Sequence, residues 1–505
     1  MPYIIGLHQA AAGLLAAGFA VQFPVAVVIC LVILLALSSP ALHDDADADD
    51  VPKSLPGHSL LQILPFFRQR FDFLNAGFHA TGDQIFQFDM MRNKVIVLSG
   101  AQARRAFFYA KGFDLTEGFK MLSGAIPMVN GVTSGLHIKR ITTIHKRLSS
   151  VQRNAPLSNL IPNILDDARR VLETYNYAGS FDPFDKIYAL IFQTTVRSLS
   201  SNEIADDMTL VARLKTLYDR LDTSTTPATV LLPWLPTPAM LKKLWATKEI
   251  YEIVVRAITA REESGIARND TLQMLLDAGD DKLTVVGFIM GLLIAGARAT
   301  GTTASWIITY LGAHSEWREK AKAEVEALLG AHASGSESES TSARLAEIPL
   351  EAWEASTPVL DAIIRETLRV AQPHTAMRRN LGPDTYILDK RIPAGAYVVY
   401  PFSDVHLDPD IYPDPWRFDP ARSAKGCASQ AGADAELSYV GWGVGKTTCL
   451  GTRLAKLELK LVLALFLLAF DHTTEGAEPR PNWNDILMCR PERCVVSYRR
   501  TDRAL

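Results

Sequence analysis

Residues 441–451 read GWGVGKTTCLG, a glycine-punctuated loop that holds a single cysteine, Cys449. The loop runs directly into a long apolar segment in which leucines recur at the three- and four-residue spacing of one helical face. These leucines are Leu450, Leu454, Leu457 and Leu461. The spacing predicts a buried helix, with Cys449 at or just before its N-terminus.

The chemistry expected of Cys449 follows from this position. Unpaired N–H groups and the positive end of the helix dipole favour a thiolate over a thiol. Gly443, Gly445 and Gly451 permit tight turns and the close approach of a flat or bulky group. Because no second Cys or His lies nearby in the sequence, zinc is poorly served, and a heme iron is the natural cation for this sulfur. On this stretch alone, a buried structural cysteine is an equally good interpretation.

The composition describes a large globular protein. The chain has 505 residues, of which 48% are hydrophobic and 21% are charged, enough to build a sizeable core. A formal net charge of −3 disfavours a general nucleic-acid binder, and no nucleic-acid partner is expected. The five cysteines are odd in number and form no C-x-x-C pair, which favours a reducing compartment over a disulfide framework.

The N-terminal segment predicts a membrane anchor. No charged side chain occurs from residue 10 to residue 37, and ~20 apolar residues suffice for a helix to cross the hydrocarbon. A cleaved signal peptide is the alternative, but it would carry a basic region, and residues 1–52 contain neither Lys nor Arg. Because the first basic residues follow the anchor, the positive-inside tendency keeps the remainder of the chain cytosolic.

This reading divides the chain into three parts. Residues 1–42 form the single N-terminal transmembrane anchor, residues 43–57 an acidic and proline-containing linker, and residues 58–505 one globular domain. No internal repeat and no composition break divides the globular part further. The prolines in residues 226–240 predict a loop that dips toward the bilayer.

Beyond the linker the patterns predict a mainly α-helical protein with a minor β region. Helical periodicity dominates residues 159–175, 184–199 and 283–312. The stretches QIFQF and KVIVL flank turn residues and predict a β-hairpin. The serine-rich residues 331–343 are typical of a surface loop.

Four motifs, in the right order, resemble those of the cytochrome P450 family. Residues 442–451 resemble its heme-binding loop, F-x-x-G-x-R/H-x-C-x-G. Residues 366–369, ETLR, resemble its E-x-x-R motif, and residues 415–418, PWRF, resemble its P-E-R-F segment. Residues 295–306 resemble its central helix. The resemblance extends over nearly everything after residue 50 and is greatest to fungal microsomal members.

The resemblance implies the cytochrome P450 fold behind the membrane helix, and heme b (iron protoporphyrin IX) as the cofactor. It makes the thiolate of Cys449 the axial ligand of the heme iron. It assigns Gly445 and Gly451 to the loop that receives the cofactor.

The same resemblance implies a charged support for the heme loop. Glu366 and Arg369 are three residues apart on a helix, so their side chains can pair. Arg417 would complete a buried triad with them. Since removing one member of a buried pair strands a charge at ~3–5 kcal/mol, we expect Glu366→Ala to lose heme.

The central helix departs from the family pattern where protons are handled. Many members carry an acid followed by a threonine, and this chain has Arg298 and Ala299 there. A second family register, A-G-x-x-N-T-G with an aromatic residue six positions beyond the threonine, fits Thr300 and Trp306. It implies Thr300 as the catalytic, oxygen-binding and proton-relaying hydroxyl, the alternative being a hydrogen bond to a carbonyl of its own helix. The residues expected to line the substrate pocket are Ile289, Leu293 and Ala297.

The heme propionates require cationic partners or strong hydrogen-bond donors. The family commonly supplies Arg or His two residues before the cysteine, where this chain has Thr447. Each remaining candidate has an exposed, solvated role as an equal alternative. The candidates are Lys446, Arg378, Arg379, Arg140 and His145.

The resemblance implies a heme-thiolate monooxygenase. It would hydroxylate or oxidise a lipophilic secondary metabolite, such as a terpenoid or a polyketide, with O2 and electrons from NADPH. The implied electron donor is NADPH–cytochrome P450 reductase, with cytochrome b5 as a further candidate, at the endoplasmic reticulum membrane. A basic cluster predicts the docking face for that acidic flavoprotein, ordinary solvated lysines being the alternative. Its members are Lys446, Arg453, Lys456 and Lys460.

Two other functions stay open at this point. The missing acid beside Thr300 suits a heme-thiolate isomerase or dehydratase that acts on a peroxide-type substrate without a reductase. A noncatalytic membrane heme binder is the more remote alternative.

Overall fold

The computed structural model describes residues 49–123, 138–333, 340–372, 374–423, 437–501, 503 and 505. The predicted anchor at 1–42 lies outside the described residues, as does the linker up to residue 48. The prediction of a mainly helical protein with a minor β region is confirmed.

Nineteen α-helices occur within this described part of the chain, and they are numbered in chain order. They are α1 Ser59–Arg68, α2 Arg70–Thr81, α3 Ala101–Tyr109, α4 Leu115–Ser123, α5 Ile138–Val151, α6 Asn154–Glu173, α7 Pro183–Leu199, α8 Asn202–Ala205, α9 Met208–Thr223, α10 Pro227–Leu231, α11 Pro238–Ser264, α12 Thr271–Asp277, α13 Lys282–Ala313, α14 Ser315–His332, α15 Thr341–Ala346, α16 Leu350–Ala355, α17 Pro358–Val370, α18 Ser403–His406 and α19 Thr452–Ala469.

The described strands form three sheets. The strands are β1 Lys53–Ser54, β2 Ile85–Met90, β3 Asn93–Leu98, β4 Phe113–Asp114, β5 Ala178–Phe181, β6 Thr375–Asn380, β7 Thr385–Ile387, β8 Lys390–Ile392, β9 Tyr397–Pro401, β10 Phe470–Thr474 and β11 Val496–Arg500. The largest sheet has six strands in the order β1-β2-β3-β9-β6-β4, and β10-β11-β5 and β7-β8 form the others.

The expected hairpin is β2–β3, which pairs antiparallel from Ile85 opposite Leu98 to Met90 opposite Asn93. Its two-residue turn places Met91 in the left-handed region with φ 58°. Alternation along the strands then gives the sheet two apolar faces. Val95 and Val97 pack with α1 and α2, whereas Ile96 and Leu98 face α3 and the segment that leads into the cysteine loop.

Several of the helices pack against α13, which is 32 residues long. It runs along α7 and also contacts α11, α17 and α19. Gly301 makes the approach to α7 possible, because a methyl group there would lie 2.6 Å from Tyr188 Cδ2. Within the described residues α13 alone is long and apolar enough to cross a membrane by length and composition. Because α13 packs against these helices, its apolar composition is explained by its position in the core.

Candidate functional site

The loop before α19 is shaped by two glycines in the left-handed region, Gly443 with φ 70° and Gly445 with φ 61°. A methyl group on Gly443 would lie 2.5 Å from the Thr447 carbonyl oxygen, so only glycine fits this turn. The Cys449 amide donates 2.6 Å to the Trp442 carbonyl and closes the loop. The turn leaves Cys449 exposed.

The helix after the cysteine begins later than the leucine spacing predicted. Gly451 is the N-cap residue of α19, and Cys449 lies two residues before it. Leu450 therefore precedes the helix and is exposed, so the buried stripe starts at Leu454. The Thr452 hydroxyl donates 2.8 Å to the Cys449 carbonyl, which ties the cysteine to the first turn.

Among the described residues no group of three or more His, Cys, Asp or Glu side chains is arranged to hold a metal ion. Of the free cysteines in the described part of the chain, Cys489 and Cys494 are buried, and Cys449 is exposed just ahead of a helix N-terminus. Such a thiol suits an iron whose other ligands come from a porphyrin.

Glu366 and Arg369 pair on α17, with N–O distances of 2.9 and 2.7 Å, and both side chains are buried. The guanidinium also donates to the carbonyls of His406, Pro415 and Arg417 at 2.7, 2.6 and 3.1 Å. Arg369 thus binds one carboxylate and three backbone oxygens, which fixes the 406–417 segment against α17.

Arg417 does not join this pair through its side chain. The Arg417 side chain is 65% exposed, and its Nη2 lies 3.7 Å from Asp419 Oδ2. Arg369 binds the carbonyl oxygen of Arg417 and not its guanidinium. Arg422 takes the place expected of Arg417: its Nε lies 3.4 Å from Glu366, and its side chain is 10% exposed. The short 3₁₀ turn Pro420–Ser423 brings Arg422 there.

The pair reaches the cysteine loop through His406. The imidazole Nε2 of His406 accepts the Val440 amide at 3.1 Å, one residue before the loop. Burial, reinforced by Arg369, holds the pKa of His406 well below its usual range, so the imidazole stays neutral and able to accept. Gln372, just after α17, donates 3.1 Å to the Gly441 carbonyl. Two routes therefore join α17 to the loop.

The helix α13 presents two different faces. Ile289, Leu293 and Ala297 are each 1% exposed and belong to the helical core, so they do not line an open pocket. Thr300 lies on this same face and is buried. Ala295 and Ala299, by contrast, are exposed in the middle of the helix.

Open space therefore borders the face of α13 that carries the two alanines. A methyl group on Gly291, one turn before Ala295, would meet nothing within 4 Å. The 291–295–299 stripe borders open space, whereas the expected lining residues at 289, 293 and 297 are buried in the core. Thr300 stays a predicted relay residue; its side chain is buried and is turned about 100° around the helix from that of Ala299.

Arg378 is the basic candidate that the fold brings to the loop. Its Nη2 donates 2.7 Å to the Thr447 hydroxyl, and its Nε has no partner among the described residues. The guanidinium lies 4.6 Å from the centroid of the Phe107 ring. Burial lowers the pKa of Arg378 to about 10. A buried cation with spare donors is suited to a carboxylate.

The other basic candidates lie elsewhere. Arg379 points away from Arg378 because β6 alternates, and its Nη1 is 3.8 Å from Glu117. Lys446 and His145 are exposed. Arg140 lies on α5, and its side chain is outside what the structure describes.

The basic cluster around the cysteine helix is smaller than expected. Lys460 is buried and donates to the Trp353 carbonyl at 3.0 Å. Arg453 pairs with Glu354 at 2.5 Å, and Lys456 lies 3.1 Å from Asp361. These carboxylates neutralise most of the charge that the sequence suggested.

Two titratable residues near the site were missed. His374 directly precedes β6, and desolvation by the surrounding atoms together with the charges of Arg70 and Arg378 lowers its pKa to about 4. Glu458 is buried on α19 and accepts the hydroxyls of Thr194 and Thr195 at 2.5 and 2.8 Å. The available signal for Glu458 was that it is the one acidic residue of α19, whose other residues are apolar, basic or threonine.

These features fit a heme. The thiol of Cys449 is presented at a helix N-terminus, α13 offers an open face of small residues, and Arg378 holds an unpartnered donor beside the loop. The comparison with known families agrees, because the cytochrome P450 family model matches residues 52–497. The chain belongs to the cytochrome P450 family. Its cofactor is therefore heme, bound as a heme-thiolate.

Similar proteins include two fungal monooxygenases. Cytochrome P450 monooxygenase AacuE of Aspergillus aculeatus is 28% identical over 87% of this chain and 89% of its own length. Cytochrome P450 monooxygenase dmxR5 of Cryptosporiopsis sp. is 28% identical over 83% and 82%. Retinoic acid-bound cyanobacterial CYP120A1 shares the fold, with a TM-score of 0.70 and 23% identity over 89% of this chain and 99% of that one.

Within this P450 the chain's own residues supply the setting for the chemistry. Heme, when bound, supplies the iron at which dioxygen is activated, and a thiolate ligand favours O–O cleavage. Cys449 offers that thiolate from a loop closed by its own amide. The unpartnered Nε of Arg378 would be the donor available to a propionate, because Thr447 accepts from Arg378 and donates its own hydrogen to the Val444 carbonyl. The Gly291–Ala295–Ala299 stripe borders open space in which a cofactor and a substrate would fit, and Ala295 and Ala299 have no side-chain hydroxyl.

Proposed function

We propose that this P450 is a monooxygenase that hydroxylates or oxidises a lipophilic secondary metabolite, such as a terpenoid or a polyketide. The observation that carries the proposal is the Cys449 loop, which α17 supports through Arg369 and His406. The fungal relatives are monooxygenases by name. In this proposal residues 58–505 form the catalytic domain.

A lipophilic substrate suits the described part of the pocket. The open face of α13 carries Gly291, Ala295 and Ala299, which are small and apolar. Such a lining favours apolar ligands oriented by few polar contacts.

We place the enzyme at the endoplasmic reticulum membrane, with the catalytic domain cytosolic. The uncharged stretch from residue 10 to residue 37 supports this placement. Exposed apolar side chains on α1 and before α11 support it too: Leu61 is 74% and Trp234 is 67% exposed. Their elements are neighbours, since α10 contacts α1. Side chains of this kind are suited to a bilayer surface.

Electrons would come from NADPH through NADPH–cytochrome P450 reductase, with cytochrome b5 as an additional donor. Lys446 is the exposed basic residue of the cysteine loop and supports docking of an acidic flavoprotein there.

The decisive experiment is spectroscopic and then catalytic. The purified chain, reduced under carbon monoxide, should show the absorption band of a thiolate-ligated heme, and Cys449→Ser should lose it. With reductase, NADPH and O2, extracts of candidate metabolites should yield oxygenated products. A chain without heme, or with a spectrum unchanged in Cys449→Ser, contradicts the proposal.

One observation favours a second function. Ala299 gives the open face of α13 no hydroxyl, which suits a reductase-independent isomerase or dehydratase acting on a peroxide-type substrate. Product formed under argon without NADPH would establish this function instead.

A further inference from the structure

Arg298, on α13, forms an ion pair with Asp222 near the end of α9. Arg298 occupies the position at which many P450s carry an acid on this helix. Its side chain is 25% exposed and that of Asp222 is 20% exposed. A second contact joins the same helices, since the Tyr218 hydroxyl donates 3.4 Å to the Met290 carbonyl. The α9 helix therefore presents a carboxylate to α13 at a fixed place.

Arg298 has donor capacity left after this pairing. Its Nε is buried and has no hydrogen-bond partner among the described residues. Burial lowers the pKa of Arg298, and three further groups face it: Tyr188 of α7, Asp219 of α9 and Asp485 of the C-terminal segment, all of which oppose the shift. Asp219 is occupied by Lys215 at 2.8 Å. Asp222 is therefore the carboxylate in direct contact with Arg298.

The pair adjoins the open face of α13. Arg298 lies about 60° around the helix from the centre of the Gly291–Ala295–Ala299 stripe, whereas Thr300 lies about 140° from it. Neither Ala295 nor Ala299 can donate a proton from its side chain. Buried Thr300 lies on the opposite, core-facing side. Arg298 and Asp222 form an ion pair that lies beside this face.

We propose that Asp222 supplies, from α9, the proton-relaying carboxylate that α13 lacks, and that Arg298 positions it. Asp222 takes protons from solvent at its exposed edge. It passes them through water to the part of the pocket in which dioxygen is reduced. The substrate reaction, RH + O2 + 2 electrons + 2 H⁺ → ROH + H2O, consumes two such protons. Asp222 is restored each time by solvent, and the electrons come from NADPH.

The proposal rests on the proposed monooxygenase function and has a substrate-free test. Without substrate, O2 is reduced either to H2O2 with two electrons and two protons or to two H2O with four of each. Faster proton supply favours water. The measurement is the ratio of H2O2 to water formed by the heme-loaded full chain with reductase and NADPH, from NADPH, O2 and H2O2 stoichiometry.

Asp222→Asn keeps the shape and removes the titrating group, so we expect the peroxide-to-water ratio to rise at least fivefold. Asp222→Glu should stay within twofold of the unsubstituted chain. Arg298→Asp combined with Asp222→Asn returns an acid to α13 and should restore the ratio to within twofold. The matched control is Glu249→Gln, which removes the α11 partner of Arg213, another ion pair of α9. It should leave the ratio unchanged.

A second readout separates proton supply from a purely structural tie. Imidazole binding to the ferric protein, followed by absorption, should keep its affinity and association rate within twofold in Asp222→Asn. If Asp222→Asn leaves the peroxide-to-water ratio unchanged but alters imidazole association, the ion pair controls ligand access to the heme, and the proposal is overturned. So does a combined Arg298→Asp/Asp222→Asn variant that retains heme but not the original ratio.

If Asp222→Asn does not load heme, Arg298→Gln/Asp222→Asn leaves no unpaired charge and takes its place with the same expectation. An unsubstituted chain that binds heme but consumes no NADPH contradicts the monooxygenase function. Equal ratios in Asp222→Asn and Glu249→Gln contradict the relay alone.

Discussion

Arg378 on β6 donates a 2.7 Å hydrogen bond to Thr447, two residues before Cys449, the proposed ligand of the heme iron. The heme-loop motif of the family has Arg or His at the position of Thr447. The side chain of Thr447 is shorter than that of Arg or His, and the guanidinium of Arg378 reaches the loop from β6. Because the Nε of Arg378 stays unpartnered among the described residues, the guanidinium can bind a carboxylate beside the loop.

Replacing Arg378 should therefore weaken heme binding. We expect Arg378→Gln to release heme to a scavenging apoprotein at least tenfold faster, because a charge-assisted hydrogen bond to a propionate contributes about 1.5–3 kcal/mol. Arg379→Gln is the matched control, since Arg379 is the next residue and faces Glu117. Equal heme loss from the two variants would show that Arg378 binds no propionate.

Glu366 should matter far more than Arg417. Glu366→Gln leaves the buried Arg369 without its carboxylate, at a cost of ~3–5 kcal/mol. We expect a lower yield of heme-loaded protein and a thermal midpoint lower by several degrees. Arg417→Gln removes an exposed pair and should shift neither quantity measurably. Arg422→Gln should fall between them, which would contradict the sequence assignment and support the observed geometry.

The sequence predicts those parts of the site that depend only on local backbone conformation and on short-range residue spacing. Cys449, the glycine turns and the Glu366–Arg369 pair follow from residues that are adjacent or one turn apart. Arg417 fails because its motif fixes a backbone carbonyl, while the side chain near Glu366 comes from Arg422 in a later 3₁₀ turn. Partners that only the tertiary fold brings together, like Asp222 and Arg298, are not indicated by any short-range spacing in the sequence.

The faces of α13 give a third prediction. Thr300 was assigned by motif register, and one residue of register separates the core face from the open face. We expect Thr300→Val to leave the H2O2-to-water ratio of the reconstituted enzyme within twofold, because its hydroxyl is buried on the core side. Ala299→Thr places a hydroxyl on the open face and should lower that ratio. A large change in Thr300→Val alone would return the relay to Thr300.

Glu458 makes stability depend on pH. Burial raises its pKa to about 7 from 4.5, although Thr194 and Thr195 donate to it. The folded state therefore holds the proton between these pH values while the unfolded chain has released it. The free energy of unfolding falls as pH rises from 4.5 to 7, by on the order of 3 kcal/mol, and is flat above.

Glu458→Gln should remove this dependence while keeping an acceptor for both threonine hydroxyls. We expect unsubstituted protein to lose several degrees more in thermal midpoint than Glu458→Gln when pH is raised from 5 to 8, at equal heme content. Comparing the two proteins cancels every other titrating group, so the difference belongs to Glu458. Asp471→Asn, an exposed carboxylate two residues beyond α19, is the control and should track the unsubstituted chain. Parallel losses in all three proteins would place the proton of Glu458 outside this pH range.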